Sequence, residues 1–171
     1  MCRAFLLIVV LAVLSAVPAI AQRAIGSLPA VLSTDSALVD VVERSQTQPV
    51  IVIRFLGSLC SHCMQQIVAL NERSEELKAL NTRIIAFSNN LPSKCAEVVR
   101  DYRIDTSVID ICSDPENSCS RTLGSTIPEN DGTTTELHAF LIVNKGVVHY
   151  EHYSTTPLMS FASAFNVIRS L

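Results

Sequence analysis

Hydrophobic positions along the chain follow two alternating rhythms. The run Val50 to Phe55 is apolar at nearly every position, rich in Val and Ile, and bounded by Pro49 and a Gly57-Ser58 turn. That pattern predicts a central strand buried on both faces. From Cys63 to about Leu80 the apolar residues return at helical spacing, with Ile67, Leu70, Leu77 and Leu80 on one stripe. Glu72, Arg73, Glu75, Glu76 and Lys78 form the wet face. Arg83 to Ser88 predicts the next strand, and Pro92 at a first helical position opens a helix to about Tyr102. Val108 to Ile111 predicts a short strand, and Asp114-Pro115 a short helix ending near Leu123-Gly124.

Polar, turn-rich residues from Ser125 to Thr135 predict an exposed loop. Leu137 to Val143 and Val147 to His152, split by Asn144-Lys145-Gly146, predict a hairpin. A last helix is expected from Thr156-Pro157, with Leu158, Phe161, Phe165 and Ile168 inward. At the other end, Ser33 or Thr34 is placed to cap a helix to about Ser45, with Ala37, Leu38, Val41 and Val42 on one face. Residues 22–32 read as a loose lead-in. Strands alternating with helices predict one α/β layered domain over residues 33–171, with a mixed sheet of four or five strands, a C-terminal hairpin and a final helix. There is no internal repeat, low-complexity tract or interdomain linker.

The first 21 residues read as an export signal. Met1-Cys2-Arg3 is a short positive start, Ala4 to Val17 an apolar run, and Ala19-Ile20-Ala21 a small-residue cleavage pattern before Gln22. An uncleaved membrane anchor is the competing reading, though the run is short beside the roughly 20 apolar residues that a span needs. The mature chain is then expected in a secreted or periplasmic space, with no later segment apolar enough to cross a membrane. The formal net charge is −3 and there is no basic run, so nucleic-acid binding has no support.

Removing the leader takes Cys2 and leaves Cys60, Cys63, Cys95, Cys112 and Cys119. An oxidising compartment lets disulfides persist. Cys60 and Cys63 form the obvious pair. Cys112 and Cys119 flank a small loop that a structural disulfide would close; a second redox relay is the sharper alternative. Cys95 is left over, as an inert buried thiol or a resolving one.

Cys60-Ser61-His62-Cys63 carries the chemistry. Two cysteines three apart at a strand-to-helix junction are the usual layout of a dithiol/disulfide centre. Unpaired N–H groups and the dipole at the helix start favour a thiolate on Cys60, and Cys63 lies one turn in. His62 would add positive charge beside that thiolate, favouring an oxidising centre. A plain structural disulfide, or half of a zinc site, is the alternative; no second Cys/His pair of matching spacing exists.

The segment from Val50 through Gly57-Ser58-Leu59 to Cys63 resembles the active-site segment of the thioredoxin-like superfamily. It is most similar to the peroxiredoxin-like branch of the alkyl hydroperoxide reductase/thiol-specific antioxidant family, also called redoxins. Ile111-Cys112-Ser113-Asp114-Pro115 with Leu123-Gly124, and His138 to Asn144, resemble two further segments of that family. The likeness spans about residues 33–170.

It implies a thioredoxin-like fold, Cys60 as the exchanging sulfur, Cys63 as its resolving partner, and Gly57, Ser58, Ser61 and His138 beside them. It implies no bound organic cofactor, and a protein or small-molecule thiol or disulfide as partner. Departures from the family pattern are specific. The Thr/Ser and Pro positions that precede a peroxidatic cysteine hold Gly57 and Ile53, counted from Cys60. His138 stands where the family has an arginine and thioredoxins a cis-proline. It is placed to tune the sulfurs, to complete a metal site, or simply to bond to backbone within its strand. His149 and His152 read as surface residues of the hairpin. The expected activity is thiol–disulfide exchange; a peroxiredoxin-like antioxidant peroxidase and a non-catalytic copper or zinc carrier are the alternatives.

Overall fold

The computed structural model describes residues 23–171, so the proposed leader and its cleavage site lie outside the described residues. In chain order the elements are β1 (Arg23–Ala24), β2 (Val31–Leu32), β3 (Leu38–Val39), α1 (Val41–Ser45), β4 (Val50–Arg54), α2 (Ser61–Asn71), α3 (Ser74–Ala79) and β5 (Arg83–Ser88). They continue with α4 (Pro92–Asp101), β6 (Ile109–Ser113), α5 (Ser118–Leu123), β7 (Thr126–Pro128), β8 (Thr134–Glu136), β9 (His138–Asn144), β10 (Val147–Ser154) and α6 (Ala162–Arg169).

Eight strands form one mixed sheet in the order β1-β10-β9-β4-β5-β6-β2-β3. Its heart is parallel: β4 pairs with β5, and β5 with β6. On its other side β4 pairs antiparallel with β9, Val52 opposite Leu141 and Arg54 opposite Ala139. Side chains of a strand alternate between faces, and two cores result. Ile51, Ile53 and Phe55 of the central segment pack with Cys63, Ile67, Leu70, Leu77, Val98, Phe165 and Ile168 on one face. Val50 and Val52 pack with Val41, Cys112, Cys119, Leu123 and Leu141 on the other. Every residue of β4 is buried, which is why its sequence reads as an unbroken apolar run.

Several expected elements differ in the structure. The lead-in is part of the sheet: β1 pairs with β10, β2 with β6, and Ile25, Leu28 and Val31 are buried. The first helix is only α1. Ser33 does not cap it; its hydroxyl and backbone close the β2–β3 turn through Ala37, and the cap is Asp40, which accepts from the Glu43 N–H at 3.0 Å. Leu38 consequently points outward, 75% exposed.

The long helix after Cys63 is broken at Glu72-Arg73. There the Asn71 side chain accepts from the Asp105 N–H, and the Ser74 hydroxyl bonds the Asn71 carbonyl. The polar loop after Ser125 contains the paired strands β7 and β8. The last helix starts at Ala162 rather than Thr156, because the buried Gln66 amide donates to the Leu158 carbonyl at 2.7 Å and holds that segment extended. The C-terminal hairpin forms as expected. Lys145 and Gly146 both have positive φ, as a two-residue turn of the primed type requires.

The expected Cys112–Cys119 disulfide is absent. Both residues are free thiols, as is Cys95, and all three are buried. Cys112 points from β6 into the apolar core, and Cys119 lies in the first turn of α5, where both pack as small hydrophobes. The Cys95 thiol donates to the Cys112 carbonyl at 3.3 Å. Burial pushes the thiols of Cys95 and Cys119 up to about 11 and 12 from an ordinary 9.0. These cysteines therefore stay protonated in the fold at neutral pH.

The predicted outcome is that a maleimide labels none of Cys95, Cys112 and Cys119 in the native protein at pH 7–8, and all three in denaturant. A native label on Cys95 would contradict the packing. Because the folded thiols hold their protons above the unfolded value, their stabilisation is complete below about pH 9. It falls as pH rises through the folded values, so denaturant midpoints should drop above that point.

Candidate active site

The site lies at the end of β4, where the chain turns and enters α2. Gly57 makes this turn with φ +108°, a conformation that side-chain-bearing residues rarely adopt. A Cβ there would also meet the Asn90 side-chain oxygen at 3.1 Å. The Cys60 N–H donates to the Gly57 carbonyl at 3.1 Å, closing the turn. Cys60 is the N-cap of α2, with extended φ and ψ, and its sulfur accepts from the Cys63 N–H at 3.3 Å. The sulfur takes the place of the oxygen that usually satisfies this orphan donor. No acidic residue sits in the first turn of α2, so the helix's positive end faces the sulfur without competition.

Cys60 and Cys63 are joined as a disulfide with their Cα atoms 5.2 Å apart. The two sulfurs are unequal: Cys60 is half-buried, whereas Cys63 is fully buried among Ile67, Phe140 and their neighbours. Leu59, just before Cys60, is 97% exposed. Ser61 and His62 are exposed on the first helical turn, and Ser58 is half-exposed beside them.

His138 comes from the far side of the sequence, at the start of β9. Its Nδ1 lies 3.9 Å from the Cys63 sulfur, and the residue is 3% exposed. Burial, then the charges of Arg54 and His62, hold its imidazole below the ordinary histidine value. His138 is thus a largely neutral ring against the buried sulfur. The donor atoms of Cys60, Cys63 and His138 all lie within 4.8 Å of one another. His149 and His152 sit half-exposed on β10, apart from this cluster.

A buried polar network holds His138 in place. Arg54, fully buried at the end of β4, pairs with Glu136 at 2.8 Å. It also donates to the Leu137 carbonyl and to the Ser120 hydroxyl, each at 3.4 Å. Ser120 in turn donates through its N–H and hydroxyl to Asp114, which also accepts from the Cys119 N–H. Asp114 thereby satisfies the first amides of α5, the physical role of the Asp-Pro pair seen in sequence. Arg54 grips the two residues immediately before His138, and Ala139 after it is the β4 register partner of Arg54.

Neither Arg54 nor Glu136 was singled out from sequence. The signal was present, since Arg54 is the one charged residue in an otherwise apolar strand, and a buried charge needs a partner.

A helix-capped, asymmetric dithiol at the end of the central strand of such a sheet defines a thioredoxin-fold redoxin. The chain belongs to the AhpC/TSA family, whose model matches residues 28–151. Among solved structures it is similar to peroxiredoxin Q of Xanthomonas campestris, at 11% identity and a TM-score of 0.73, covering 86% of this chain and 97% of that one. Peroxidoxin BcpB of Mycobacterium tuberculosis matches at 14% identity and a TM-score of 0.70, covering 88% and 94%. A putative thioredoxin reductase of Burkholderia cenocepacia matches at 18% identity and a TM-score of 0.67, covering 87% and 97%. At these identities the likeness is one of fold. No curated protein matches.

Two substitutions test the architecture. Gly57→Ala is expected to destabilise the protein by about 1–3 kcal/mol, through forced positive φ and contact with Asn90. Glu136→Ala leaves the buried Arg54 guanidinium short of its counter-charge. It should cost about 1–3 kcal/mol, less than for a fully buried pair because Glu136 is partly exposed. Urea midpoints measure both; a Glu136→Ala protein as stable as wild type would show that Arg54 needs no counter-ion.

Proposed function

We propose that the protein is an exported thiol–disulfide oxidoreductase whose working centre is the Cys60–Cys63 pair. The observation that carries this reading is the inequality of the two sulfurs. Cys60 caps the helix within reach of solvent; Cys63 is sealed beneath it, bonded to it, and backed by His138.

In the reducing direction the Cys60 thiolate attacks a sulfur of the partner disulfide. The partner S–S bond breaks, its second sulfur leaves as a thiolate, and a mixed disulfide forms. Cys63, deprotonated, then attacks the Cys60 sulfur, closing the internal disulfide and releasing the partner sulfur held in the mixed disulfide as a thiolate. In the oxidising direction the same steps run backward. The neutral imidazole of His138 against the Cys63 sulfur is positioned to accept the Cys63 proton in the resolving step. Nearly complete exposure of Leu59, with Leu91 also exposed, supports a protein partner docking beside Cys60. The leader-like first residues support export, to be checked by finding Gln22 at the amino terminus of the secreted protein.

A second reading is a thiol peroxidase, favoured by the family match. There Cys60 would be oxidised by peroxide to a sulfenic acid, and Cys63 would condense with it and release water. The Gly57 and Ile53 positions lack the groups that the family's peroxide turn uses, which weighs toward disulfide exchange.

One experiment separates the two readings. The purified protein should catalyse dithiol-driven reduction of a protein disulfide, with turnover falling to the uncatalysed level in Cys60→Ser. Cys63→Ser should accumulate a mixed disulfide through Cys60. Peroxide consumption lost in Cys60→Ser, without disulfide exchange, would establish the peroxidase instead.

A further inference from the structure

We propose that the reduced protein binds one monovalent copper ion through Cys60, Cys63 and His138, and that the disulfide form does not. The inference rests on the preceding reading only in requiring that the cysteine pair be reducible in the folded protein.

Three observations point to a ligand set rather than to a dithiol with a chance neighbour. The donor atoms of all three residues lie within 4.8 Å of one another, although they come from two segments far apart in sequence. The Cys63 sulfur and His138 Nδ1 are 3.9 Å apart, long for a strong hydrogen bond. That separation is close to the edge of a trigonal centre, about 3.7 Å when metal–sulfur and metal–nitrogen bonds are about 2.3 and 2.0 Å. The imidazole is also not free to drift, because Arg54 grips the carbonyl of Leu137 and the carboxylate of Glu136 just ahead of it.

The donor count selects the metal. No fourth His, Cys, Asp or Glu joins the cluster among the described residues. Zinc in a protein-only site takes four ligands in a tetrahedron. Two soft thiolates with one imidazole, half-shielded from water, instead suit monovalent copper, which soft sulfur ligands select. Cys63 and His138 are buried and Cys60 is half-exposed, so the ion would enter past Cys60 into a largely dry recess.

Binding is a ligand exchange without electron transfer. The ion forms two bonds to sulfur and one to nitrogen, and the two thiols release two protons to solvent. In the disulfide form both sulfurs are bonded to each other, so two of the three donors are lost together.

The test is anaerobic titration of the full, dithiol-reduced protein with monovalent copper against a chromophoric copper chelator. X-ray absorption then reads the coordination. One copper per chain is expected, with two sulfur neighbours at about 2.3 Å and one nitrogen at about 2.0 Å. The disulfide form and Cys60→Ser should lose stoichiometric binding. His138→Gln should weaken binding at least as much as loss of an outer-shell partner does, about 10- to 100-fold.

A reduced protein that takes up no copper, a sulfur-only spectrum, or a His138→Gln affinity equal to wild type would each overturn the proposal, as would a preference for zinc. The wild-type spectrum decides the coordination even if the variant fails to fold. Copper binding absent while disulfide exchange persists removes this inference alone; the converse removes only the oxidoreductase reading.

Discussion

The register between β4 and β9 is the constraint on which the rest depends. β4 is buried on both faces and hydrogen-bonded on both edges, so a one-residue slip would exchange its two packed faces and carry the Arg54 charge into the apolar core beside α2. With Arg54 fixed opposite Ala139, His138 falls on the face that carries α2, and its ring meets the Cys63 sulfur. A one-residue slip would send the ring to the opposite face and pull the cysteines and the histidine apart. The chemistry at the strand's end is thus set by packing many residues away from it.

A second constraint is electrostatic. A guanidinium with no exposure to water is tolerable only because Glu136, Ser120 and the Leu137 carbonyl surround it. Those contacts tie the end of β4 to the segment that delivers His138 and, through Asp114, to the start of α5. The same charge disfavours a proton on His138. One buried residue, on the face of the sheet opposite the sulfurs, therefore helps to place the histidine and adds to the burial that disfavours its proton.

The five cysteines among the described residues divide by environment rather than by sequence proximity. Cys60 sits where a helix terminus meets solvent, a place that favours a thiolate, and Cys63 is bonded to it from the buried side. Cys95, Cys112 and Cys119 sit in apolar surroundings that raise their thiols beyond the reactive range. Spacing along the chain suggests a Cys112–Cys119 bridge; in the fold both sulfurs stay free thiols, packed in one apolar core. Cys112 follows the alternation of β6 inward, and Cys119 follows the buried stripe of α5.

Sequence alone determined the strands and helices of strong period, the order of the α/β layers, the C-terminal hairpin and the pairing of Cys60 with Cys63. Each is encoded by neighbours within a turn or a strand, through hydrophobic rhythm, a capping position and cysteine spacing. It also marked His138 as a residue near the sulfurs, by resemblance rather than by local pattern. Tertiary structure alone decided the joining of residues 23–32 to the sheet, the break in the helix at Glu72-Arg73, the late start of α6, the isolation of three thiols and the partnership of Arg54 with Glu136. Those outcomes depend on contacts between segments distant in the chain: the Gln66 amide on Leu158, the Asn71 side chain on Asp105, a guanidinium finding its carboxylate across two strands. Local periodicity carries no record of such partners, since each residue's own neighbours would allow a different choice.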